Sequence, residues 1–96
     1  IYVAMKNKKL EIIRKKLDKL DDKFLALIKT RTQLVNQVLL TKKYKNQIID
    51  KKRIKKILSN IKRKSQQRNL DNKITKEIWA AMIRAYIKYE YRNFKK

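Results

Sequence analysis

Glycine, proline, cysteine and histidine are all missing from this 96-residue chain. The first two absences remove the residues that make tight turns and break helices. With a 3.6-residue apolar period running throughout, the chain therefore reads as all-α, and no segment competes as a strand. The lack of cysteine and histidine excludes disulfides, thiolate nucleophiles and the common zinc sites, so neither a metal nor a cofactor is expected. Two serines remain, Ser59 and Ser65, with no histidine to serve as their base. Long apolar runs are also missing. Stretches such as Phe24 to Ile28 and Ile78 to Ile83 are far too short to span a bilayer, and no signal-peptide pattern opens the chain. The expected location is the cytoplasm, without a membrane partner.

Acidic residues are scarce: 8 against 29 basic ones, a net charge of +21. Such an excess invites a nucleic-acid reading. Yet the cations are mostly lysine and spread along all the helices, and aromatic residues are not interleaved with them in the way that base stacking needs. The reading adopted is a solvated lysine surface with no specific nucleic-acid partner.

What is present is one long seam. Leu10, Ile13, Leu17, Leu20, Phe24, Leu27, Leu34 and Val38 recur at alternating steps of three and four, the signature of an apolar helix face. Arg31 occupies the slot between Leu27 and Leu34 where the pattern calls for an apolar residue. A guanidinium keeps its charge, so in that position it implies a carboxylate partner or a bound anion.

In order along the chain, residues 1–7 read as a frayed lead-in and the first helix as running from about Lys8 to about Lys43. At ~1.5 Å per residue that helix is roughly 50 Å long, whereas a compact chain of this size is only about 30 Å across. Its seam would overhang a single copy, so a homodimer is predicted. Tyr44 to Ile49 reads as a polar, irregular loop. Asp50 is placed to cap a second helix with the stripe Ile54, Ile57, Leu58 and Ile61, which fades after Ile61. Asn69 suits the left-handed position that ends a helix, Leu70 is expected to fold back onto the core, and Asp71 to cap a third helix from about Asn72 to about Asn93. The buried stripe of that helix should hold Ile78 or Trp79, with Met82, Ile83, Tyr86 and Ile87. The whole of residues 1–96 is taken as one three-helix domain.

Helical geometry relates the candidate functional residues. Arg31 and Lys42 are eleven residues apart, three turns on one face and roughly 16 Å along the axis. Arg14 points about 100° round from Arg31 and would serve a different pocket, one across a dimer interface. Glu90 follows Tyr86 by four residues and Ile83 by seven, which places a carboxyl group on an apolar stripe. Taken singly, each has a plain structural account. Arg14 can snorkel beside the seam, Lys42 can be solvated surface among Lys43 and Lys45, Asp50 and Arg53 can be an N-cap and a first-turn residue, and Arg31 can pair with Glu90 as a buried salt bridge.

Together they resemble the all-helical chorismate mutases, from Leu10 to Glu90. The opening Leu10-Glu11-Ile12-Ile13-Arg14-Lys15-Lys16-Leu17-Asp18 is similar to theirs, Arg31, Leu34 and Val35 match an Arg-x-x-Leu-Val segment, and Lys42 follows at family spacing. Asp50-Lys51-Lys52-Arg53 looks like the family's Asp-x-x-Arg, Asn69-Leu70-Asp71 stands where Gly-Leu-Asp is usual, and Ile78 to Glu90 resembles the third helix. The resemblance implies an intertwined homodimer of three-helix chains that rearranges chorismate to prephenate. Arg31 and the Arg14 of the second copy would hold the two carboxylates, and Lys42 and Glu90 would reach the ether oxygen. Asp50 and Arg53 would order the covering loop, and Val38 and Ile83 would pack on the substrate, with Tyr86 also lining the site. Three positions depart from the bacterial pattern: Glu90 where glutamine is frequent, Tyr86 where serine is, and Ile54 where a glutamate is. The last two, with the 39-residue step from Arg14 to Arg53, also resemble the isochorismate pyruvate-lyases of the same fold. A non-enzymatic, basic, nucleic-acid-binding helical protein is the reading from another class.

Overall fold

The computed structural model describes residues 2–95, with the side chain of Tyr2 left aside. Among them it has three α-helices and no strand: α1, Tyr2–Thr41, α2, Lys51–Gln67, and α3, Asn72–Asn93, with a single 3₁₀ turn, Lys45–Gln47, between the first two. Helix α1 begins earlier than the sequence pattern suggests. Residues 2–7, expected to fray, are helical, because Val3 to Asn7 contain no breaker and continue the hydrogen-bond ladder; Ile1 lies outside the described residues.

Contacts divide the chain into two units, Ile1–Leu34 and Val35–Lys96. The first unit is α1 alone, and every described side chain from Val3 to Thr30 is exposed. Its seam residues Leu10, Ile13, Leu17, Leu20, Phe24 and Leu27 keep 43–66 % of their surface accessible.

The second unit holds the end of α1, the 3₁₀ turn, α2 and α3. Leu39 and Ile48 are its most buried apolar side chains, at 8 % and 3 % exposure. Burial of Ile48 corrects the expectation of an irregular polar loop. The segment after α1 is ordered by Gln47, whose side-chain oxygen accepts from the backbone N–H groups of Lys43 (2.7 Å) and Tyr44 (3.0 Å). That leaves Ile48 directed into the core.

Asp50 caps α2 as expected, its Oδ1 accepting from the Arg53 N–H at 3.0 Å. Ile54, Ile57, Leu58 and Ile61 are half-buried, and α2 packs on α3. The buried stripe does not stop at Ile61: one turn on, Ser65 is 3 % exposed and donates to Thr75 Oγ1 at 2.8 Å. A polar pair with both partners satisfied thus continues the packing where apolar residues run out.

Helix α2 ends in a Schellman turn. Asn69 takes φ 55°, its N–H donates to Gln66 O at 3.2 Å, and the Leu70 N–H donates to Ser65 O at 2.9 Å. Contrary to expectation, the Leu70 side chain stays 51 % exposed. The backbone bonds close the turn without the hydrophobic contact. Asp71 caps α3 by accepting from the Lys73 N–H at 2.8 Å. On α3, Trp79, Met82, Ile83, Tyr86 and Ile87 are half-buried whereas Ile78 is exposed, so the stripe starts at Trp79.

Candidate active site

The site is assembled where α1 stops. Lys42 is the first residue beyond the helix, its N–H still donating to Leu39 O at 3.1 Å. Its side chain reaches α3, where Nζ donates to Glu90 Oε1 at 2.9 Å and sits 3.4 Å from the Ile48 carbonyl. The two side chains of this ion pair keep 15 % and 10 % exposure. Of the plain accounts for Lys42 and Glu90, a solvated lysine is therefore overturned: Lys42 is the cation that neutralises a buried carboxylate. An ammonium group carries three donors, of which these two contacts engage two. The third can serve a group in the adjoining cleft.

That cleft encloses about 500 Å³ and is lined by Thr41, Lys42, Gln47, Ile49, Asp50 and Lys51. Lys42 and Asp50, separate in sequence, share it because the 3₁₀ turn and buried Ile48 fold the intervening segment back. Asp50 also holds the first turn of α2, so its capping bond fixes one wall of the cleft while the Arg53 side chain remains exposed. Ile83 and Tyr86 are half-buried on the α3 stripe that carries Glu90, and Val38, one turn before Lys42, is exposed. The remaining two candidates belong to the first unit. There Arg14 is exposed, and Arg31 is half-buried with an interaction of its own.

Several contributors escaped sequence reasoning. Ile48 supplies both a core anchor and the carbonyl facing Lys42; the Ile48-Ile49 pair inside a polar stretch was its one visible signal. Gln47, which shapes the loop, had none. On another side of α3, Tyr89 Oη donates to Asn36 Oδ1 at 2.7 Å, and the Tyr86 and Tyr89 rings meet edge to face at 6.2 Å. Among the described residues, no group of three or more His, Cys, Asp or Glu is placed to hold a metal ion, and no helix is long and apolar enough to cross a membrane.

A buried lysine-glutamate pair beside an open cleft offers hydrogen-bond donation and charge stabilisation. The family model for chorismate mutase type II matches residues 13–91, a span that takes in every candidate from Arg14 to Glu90. No curated protein and no solved structure matches the chain. The match covers most of all three helices, and on that ground the chain belongs to the type II chorismate mutase family.

Proposed function

We propose that the protein is a chorismate mutase, converting chorismate to prephenate. The reaction is an intramolecular Claisen rearrangement: the allylic C–O bond of the enolpyruvyl ether breaks as a C–C bond forms, and no atom enters or leaves. It requires no covalent catalysis. It requires a substrate held in its folded conformer and donors directed at the ether oxygen while negative charge gathers there.

The observation that carries this reading is the Lys42–Glu90 pair, buried at the edge of a cleft that Asp50 also lines. Lys42 would donate to the ether oxygen and to a substrate carboxylate. One oxygen of Glu90 is engaged by Lys42, and the other, when protonated, would donate beside it. Val38, Ile83 and Tyr86 would pack on the carbocyclic ring, and Asp50 and Arg53 would order the loop over it. Arg31 would hold one carboxylate of the substrate and Arg14 of a second copy the other, because chorismate is a dianion and α1 carries these two arginines on different faces.

The second copy is part of the proposal. The exposed seam of residues 10–27 is the surface that a homodimer would bury. Purified protein given chorismate should yield prephenate, and given isochorismate should yield no pyruvate. Pyruvate from isochorismate, with chorismate left unchanged, would replace the mutase by the lyase, a reading favoured by Tyr86, Ile54 and the 39-residue step from Arg14 to Arg53.

A further inference from the structure

Helix boundaries change how the positive charge is distributed. Eight of the 17 residues of α2 are Lys or Arg and none is Asp or Glu. By contrast, α1 carries ten cations and four carboxylates in 40 residues, and α3 five cations and two carboxylates in 22. A charge that looks evenly spread along the sequence is therefore concentrated on one short helix. All eight of its cations are exposed, and among the described residues none is ion-paired.

Position on the helix sharpens this. The stripe Ile54, Ile57, Leu58 and Ile61 is half-buried as α2 packs on α3. At ~100° per residue, Lys52, Lys56 and Arg63 form a line on the opposite side, about 160–200° from Ile54, and the remaining cations lie about 60–100° from Ile54 on the two sides of the stripe. Lys51 and Lys55, like Lys52 and Lys56, repel each other at a spacing of four residues. Lys51, Lys52 and Arg53 also crowd the positive end of the helix, where Asp50 is the sole compensating carboxylate. The free protein thus bears an electrostatic cost on this face that a row of anions would relieve.

We propose that the outer face of α2 is a docking surface for the phosphate backbone of a nucleic acid, bound without regard to base sequence. The line from Lys52 to Arg63 extends ~16 Å, the axial length of several phosphates at ~3.4 Å per strand step. No aromatic residue lies on α2 to stack bases, and the line of two lysines and one arginine matches the regular spacing of backbone phosphates. A lipid surface is the poorer match. Interfacial helices sink an apolar face into the membrane, and the apolar face of α2 is committed to α3.

The test uses the full chain and two charge-matched triple variants. One carries Lys52→Gln, Lys56→Gln and Arg63→Gln on the α2 face; the other carries Lys73→Gln, Lys76→Gln and Lys88→Gln, all exposed on α3. Binding of a 30-base-pair (about three helical turns) DNA duplex of arbitrary sequence is followed by fluorescence anisotropy across salt concentrations, with circular dichroism to verify folding. The wild type should bind with a steep salt dependence, and an unrelated duplex should compete equally. The α2 variant should lower the slope of log K against log salt by about 2.7, three contacts at ~0.9 each, and the α3 variant by less than 1. Equal losses in both variants would mean that net charge alone is responsible and would overturn the assignment. So would vesicles of anionic phospholipid that bind as tightly as duplex and are lost in the α2 variant, or a duplex preferred by sequence. Turnover of chorismate should be unchanged in the α2 variant, and absence of turnover in the wild type would overturn the mutase reading while leaving this surface standing.

Discussion

Residues 35–95 bury part of their apolar surface, whereas residues 3–34 bury none of theirs. In the C-terminal unit the end of α1, the 3₁₀ turn, α2 and α3 enclose Leu39 and Ile48 and bury a charged pair. In the N-terminal unit Leu10, Ile13, Leu17, Leu20, Phe24 and Leu27 form the longest regular seam in the chain, yet none is buried. Regular apolar periodicity shows which face of a helix needs cover, and says nothing about what provides it. The C-terminal unit finds cover within the chain because a turn and a loop return α2 and α3 to it. Residues 2–34 form one uninterrupted helix with no returning element of their own, and the cover proposed for them is a second copy.

The largest effect should come from breaking the open seam. Replacing both Leu17 and Phe24 by Asp should give monomers in analytical ultracentrifugation and reduce kcat/KM by more than about 10³-fold, beyond the ~10²–10³ of a single lost donor. A mixture of Arg14→Ala and Arg31→Ala chains sharpens the same point. If Arg14 acts across the dimer, exchange should regenerate one intact site per heterodimer, because both lesions then fall in the other site. Heterodimers that form without recovering activity would refute that arrangement.

Within the C-terminal unit, Lys42→Ala should cost roughly 10²–10³-fold in kcat and also lower Tm, since it leaves Glu90 buried without its cation. A variant that loses stability but keeps kcat would reduce the pair to a structural one. Glu90→Gln should have a smaller effect. A carboxyl group donates only when protonated, whereas an amide donates at any pH. The variant should therefore keep or raise kcat near neutrality. Activity lost in the variant would show that Glu90 acts as a carboxylate.

The smallest effect is expected at Tyr89→Phe, which keeps the ring edge against Tyr86 and removes the hydroxyl bonded to Asn36. Denaturant unfolding should show a loss of about 0.5–1.5 kcal/mol. A loss below that range would mean that solvent replaces the bond at this exposed position.

The legible features were local ones. Asp50 and Asp71 announced the starts of α2 and α3, and Asn69 the left-handed residue between them, because capping and turn chemistry act over a few residues. Arg31 and Glu90 stood out as charges on apolar stripes. What misled was the assumption that stripes end where apolar residues end. Ser65 continues the α2 face because Thr75 meets its hydroxyl, and Leu70 stays exposed because backbone bonds already close its turn. Lys42 looked like one lysine in a solvated cluster, and the carboxylate it pairs with lies 48 residues away.

From its residues alone the chain was bound to be helical, to lack thiol chemistry, and to present one long apolar seam. Periodicity and composition settle those properties without reference to distant residues. Tertiary structure decided that Lys42 rather than a neighbouring lysine meets Glu90, that Ile48 and Gln47 shape the cleft, and that the densest charge gathers on α2. These depend on where α1 stops and how the chain returns, which no local pattern encodes: burial and pairing are properties of residues that meet only after the chain has folded.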